Sequence, residues 1–79
     1  MKMLILKQAR IEGDSEPKVI SLGDFAINVE DIMMVYSVFD KYDCIVKNVT
    51  VIRTKQGESF TVAGEFKSVI ESIEELNLV

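Results

Sequence analysis

The sequence predicts a small α+β domain: an antiparallel β-sheet of four to five strands with one C-terminal amphipathic helix packed on it. Three observations carry this. Alternating apolar and polar residues flank Gln56-Gly57 as they do around a hairpin turn. Apolar residues then recur at spacings of three and four from Phe66 to Leu76. Upstream of both, short apolar segments are separated by residues that favour turns.

Met1 to Ile11 reads as the first strand, with Leu4 and Leu6 on one face and Met3 and Ile5 on the other. Glu12 to Pro17 is a loop by composition. Lys18 to Leu22 begins a second strand, Gly23-Asp24 turns or bulges it, and Phe25 to Ile27 continues it. Asn28 suits the cap of a short helical turn over Val29 to Met33. Met33 to Phe39 is a further strand, apolar on both faces apart from Ser37. Asp40 to Asp43 connects it to a long strand, Cys44 to Lys55.

For the hairpin, a two-residue Gln56-Gly57 loop pairs Lys55 with Glu58, Arg53 with Phe60, Ile52 with Thr61 and Val51 with Val62. Val49, Val51, Phe60 and Val62 then share one face, and Ile52 falls on the polar one. A three-residue loop would slip the register and bring Ile52 beside Phe60; the two-residue loop is the expectation. In the helix, Phe66, Val69, Ile70, Ile73 and Leu76 form one stripe. Glu71 and Glu75 repel at i,i+4, and three turns are marginal alone, so the helix must dock its stripe on the sheet.

With 79 residues, the chain is one domain, residues 1–79, and 48% hydrophobic against 28% charged residues makes it globular. So short a chain buries only about 60% of its unfolded surface, and small domains compensate with disulfides, metals or association. Cys44 is the single cysteine and there is no histidine, so association is the compensation left open. The Met3–Leu6 run is too short for a signal peptide or a membrane span, and with one unpaired thiol the expected location is the cytoplasm.

No catalytic, cofactor-binding or metal-binding set is legible. Glu12, Asp14 and Glu16 lack the further ligands of a calcium loop. Asp40 and Asp43 flank Tyr42 as a surface turn rather than an acid–base pair. Cys44 has no histidine base and reads as a small, half-buried residue at a strand start. Asn48-Val49-Thr50 matches the glycosylation sequon by coincidence in a chain read as unsecreted. Gly23, Gly57 and Gly64 fit no phosphate-binding pattern.

Two features remain. Lys47, Arg53 and Lys55 occupy alternate positions of the long strand, a basic stripe able to touch nucleic acid or to resist edge aggregation. The net charge of −4 weighs against a phosphate-gripping role. The second feature is the apolar excess of Met1, Met3, Met33, Met34, Val35, Tyr36, Val38 and Phe39, which exceeds what one short helix covers.

Ile27-Asn28, Asp31-Ile32, Val51-Ile52-Arg53-Thr54, Gly57, Phe60 and Val62, followed by the amphipathic helix, resemble the FlbD-like flagellar proteins. The same order is similar to the LytTR DNA-binding domain. The resemblance spans Ala26 to Leu76 and implies a strand, a short turn, a glycine hairpin and a C-terminal helix. The connection from Met34 to Val49 is longer than in FlbD-like chains, and the acidic helix departs from a LytTR-type DNA binder. The expected function is a non-enzymatic interaction or assembly module, self-associating or bound to another protein. Its size and lack of catalytic groups suit an accessory protein of a phage, a mobile element or a bacterial regulatory system. The alternative is a small nucleic-acid-binding regulator.

Overall fold

In a computed structural model, residues 2–13 and 17–78 are described. The elements run β1 (Met3–Glu12), β2 (Lys18–Asn28), a 3-10 turn (Val29–Asp31), β3 (Ile32–Phe39), β4 (Ile45–Thr54), β5 (Ser59–Ala63) and α1 (Phe66–Asn77). The strands form one antiparallel sheet in the order β2-β1-β5-β4-β3. The α+β class and the docked C-terminal helix are as the sequence predicts. The loop expected over Glu12 to Pro17 includes residues 14–16, which lie outside the described residues, as does Met1.

Two β-ribbons build the sheet. β1 and β2 pair along their whole length, and β3, β4 and β5 form a meander. The ribbons join where Lys7 and Gln8 of β1 meet Ala63 and Val62 of β5. One core contains Leu4, Ile27, Val29, Ile52, Val62 and Val69. It is completed by the half-buried Leu6, Phe25, Ile32, Val35, Ile73 and Leu76, so it lies under α1. A second core holds Ala9, Val46 and Val49, edged by Ile11, Val19, Val38 and Ala63. The register places Val49 and Ala63 on the sheet face opposite Thr50, Ile52 and Val62. The domain therefore carries a small core on each face, and it is elongated, 41 × 23 × 23 Å.

The hairpin register corrects the expectation. Arg53 faces Ser59, Ile52 faces Phe60, Val51 faces Thr61 and Thr50 faces Val62. The loop is Lys55-Gln56-Gly57, with the Thr54 amide donating to the Glu58 carbonyl (2.8 Å) and the Gly57 amide to the Thr54 carbonyl (3.0 Å). Gly57 has φ +92°, the left-handed residue of a three-residue hairpin. The slip exchanges the faces: Ile52 lies under the helix and is fully buried, whereas Arg53 lies exposed on the other face, which it shares with the buried Val51. Burial decides it, because the two-residue loop would have left Ile52 on the wet face. The expected Lys55–Glu58 side-chain pair does not form; the Lys55 amide instead donates to the Asp31 carbonyl (2.9 Å), tying the hairpin to the 3-10 turn.

β2 runs unbroken through Gly23-Asp24. Gln8 faces Gly23 and Ala9 faces Ser21, so Leu22 is the extra residue of a bulge. Asn28 caps the 3-10 turn as expected, its side chain accepting from the Glu30 amide at 3.0 Å. α1 buries Val69 fully, but Phe66 at its first position is exposed. The expected stripe is therefore shorter at its start.

Candidate functional site: the apolar edge along β3

β3 is an edge strand, hydrogen-bonded to β4 on one side only. Its sequence, IMMVYSVF, contains no charge, glycine or proline. Four of its side chains are open to solvent: Met33 (54%), Met34 (44%), Tyr36 (41%) and Phe39 (61%). Exposed apolar residues taken singly are ordinary, whereas a contiguous set marks a contact surface.

The register shows how these side chains divide. Met34 faces Arg53 and Tyr36 faces Val51, on the sheet face away from the helix. Val35 faces Ile52 and points into the helix-side core. Phe39 faces Ile45 (also exposed), and Ile45 lines a shallow groove of about 230 Å³ with Ser37, Lys47, Asn48, Glu65 and Phe66. The exposed Phe66, at the start of α1, thus lines the same groove as the exposed Ile45. Apolar surface flanks this edge on both sides of the sheet.

The opposite edge, β2, is different. Pro17 precedes it, Lys18 begins it, the Leu22 bulge interrupts it, and Asp24 forms a 2.8 Å ion pair with Lys7. Bulges, charges and prolines are the devices by which edge strands avoid pairing with other chains. The hydrogen bond and charge of Lys7 hold the Asp24 carboxyl below its usual 3.8.

The remaining sequence candidates resolve as follows. The Asp40 carboxylate accepts the amides of Tyr42 (2.8 Å) and Cys44 (3.0 Å), so it organises the turn before β4, in which Asp43 takes φ +60°. Cys44 is exposed, not half-buried as expected, because it precedes β4 and lies in that turn. The basic stripe is divided. Asn48 takes φ +65°, and the ladder slips from Ser37–Thr50 to Phe39–Ile45 across it. Val46 and Val49 therefore face the same core although three residues apart, and Lys47 lies on the other face from Arg53. Lys55 sits in the hairpin loop. Among the described residues, no group of three or more histidine, cysteine or carboxylate side chains could hold a metal ion.

One cleft was not legible in the sequence. It encloses about 390 Å³ between β2, the 3-10 turn and the hairpin, where Phe25 and Phe60 meet at 4.8 Å between ring centroids. Asn28, Asp31, Gln56 and Glu58 supply its polar wall, and no lysine or arginine lines it. Phe25 and Phe60 lie far apart in the chain, and only the β1–β5 junction brings them together.

No helix among the described residues is long and apolar enough to cross a membrane. Comparison with protein-family models, with curated proteins and with solved structures finds no match to this chain.

Proposed function

We propose that this chain is a non-enzymatic assembly module that works by protein contact, through self-association in the first instance. The observation that carries this reading is the uncharged β3 edge, with Met34, Tyr36 and Phe39 exposed. Methionine and aromatic side chains supply much contact area and suit interfaces. The two cores, each of only a few fully buried residues, leave association as an additional source of stability. Sedimentation velocity across the micromolar range tests the reading: a dimer or larger species is expected, and a monomer throughout would refute it.

The nucleic-acid alternative has less support, because Asn48 places Lys47 on the opposite face from Arg53 and leaves no continuous stripe. It predicts retention on a polyanionic resin that falls steeply with salt.

A further inference from the structure

We propose that β3 is the pairing edge of a twofold dimer, in which two copies align β3 antiparallel and join their sheets into one of ten strands. This rests on the self-association reading above and specifies its geometry and its partner, a second copy of this chain.

The distribution of the exposed side chains chooses the geometry. Met34 and Tyr36 lie on the sheet face away from the helix, and Ile45 and Phe66 lie on the helix side. A partner stacked on either face would cover one set and leave the other in water. A strand added at the edge places neighbours beside both sets at once and satisfies the open backbone groups of β3. The groove holding Ile45 and Phe66 continues the surface on the helix side.

Two considerations choose a second copy. Antiparallel pairing of a strand with itself sets residues near the middle against their own counterparts, so any charge there would meet a like charge; IMMVYSVF has none. The amount of surface also fits. Met34, Tyr36, Phe39, Ile45 and Phe66 together expose on the order of 500 Å² per subunit, an upper bound on the side-chain area that pairing can cover and in the range of a small interface, which buries less than ~1,200 Å² in total. The other edge is closed to the same reaction by its bulge and charges.

The test combines charge insertion with cross-linking. Met34→Glu, which can pair with Arg53 inside the sheet, and Tyr36→Lys each put like charges near the dyad and are expected to raise the dimer dissociation constant roughly 100-fold or more. Ile5→Lys, at an exposed apolar site away from β3, is expected to leave it unchanged. In a Cys44→Ser background, Val35→Cys, Tyr36→Cys or Ser37→Cys should give a disulfide-linked dimer at one or more positions near the dyad, and Ile5→Cys should not. Circular dichroism establishes that each variant folds, and the cross-linking result stands even if a charged variant does not.

A dimer that ignores both β3 charges, or that cross-links through Ile5→Cys but at no β3 position, overturns this geometry while self-association survives. A wild-type chain that is monomeric throughout overturns both. A β3 that stays monomeric alone but captures a different strand-forming protein overturns the choice of a second copy.

Discussion

Ile52 and Ile5 are the same residue type at opposite extremes of burial: Ile52 is 0% exposed and Ile5 is 70% exposed. Ile52 faces Phe60 across the hairpin and sits in the core beneath Val69 of α1. Truncating Ile52 to alanine removes three buried carbons and leaves a cavity between sheet and helix. The expected loss is about 2–5 kcal/mol. A chain of this length has roughly 4–12 kcal/mol of stability in total, so the substitution removes a large part of it. Ile5→Ala removes the same atoms from water-exposed surface and is expected to change stability by less than about 0.5 kcal/mol. Urea unfolding followed by circular dichroism, at a fixed concentration low enough to dissociate any dimer, measures both. The pair also tests the register. In the two-residue loop Ile52 would lie on the polar face beside Thr61, and its truncation would cost no more than that of Ile5. Equal costs at the two sites would refute both the observed register and the position of the core.

Two further predictions follow from local geometry. Gly57 sits at φ +92°, and a Cβ there would meet nothing within 4 Å, so Gly57→Ala should cost about 1–2 kcal/mol through backbone strain alone. Gly57→Asn should recover much of that loss, and equal stability of all three forms in urea would contradict the three-residue loop. The Asp24 carboxyl is held below 3.8 by Lys7, so its contribution to stability is present above the unfolded value and is lost as pH falls through the lower folded value. Lys7→Ala should return the Asp24 titration toward 3.8 by side-chain carbonyl NMR, and an unmoved titration would contradict the ion pair.

Much of this fold is legible because some segments satisfy only one rule. The helix from Phe66 has a single period, and the cap at Asn28 follows from its side chain reaching a nearby amide. The hairpin is harder. Both loop lengths fit QG with alternating neighbours, and only the burial of Ile52 under α1 selects between them. That burial depends on a helix more than ten residues downstream, so local reasoning cannot see it. The basic stripe fails for a related reason. Alternation holds only while the strand is regular, and Asn48 enters the left-handed region. Asparagine tolerates that region, but nothing adjacent in the sequence announces it. The apolar surplus of the β3 segment was visible; that it belongs to an edge depends on the pairing of β1 with β5, a long-range event.

The irregularities of this sheet also separate two kinds of exposed apolar residue. Val19 and Phe25 have the same parity yet enter different cores, and the Leu22 bulge between them makes that possible. Ile32 and Val35 have opposite parity yet share one core, and the ladder slip at Met33 makes that possible. Leu22 and Met33 are exposed because these switches push one residue out of the ladder, so folding alone accounts for their position. Met34 and Tyr36 stand in regular pairs opposite Arg53 and Val51, and at position 34 threonine would serve the strand at least as well as methionine. Tyrosine suits a strand and packs across from the buried Val51, but folding gives no reason for methionine opposite Arg53, and the exposure of both carries a solubility cost in an isolated subunit. A contact with another chain supplies the reason for leaving both in water, and it is at these two positions that substitution should weaken association by more than the cross-strand pair contributes to the monomer, about 0.2–1 kcal/mol.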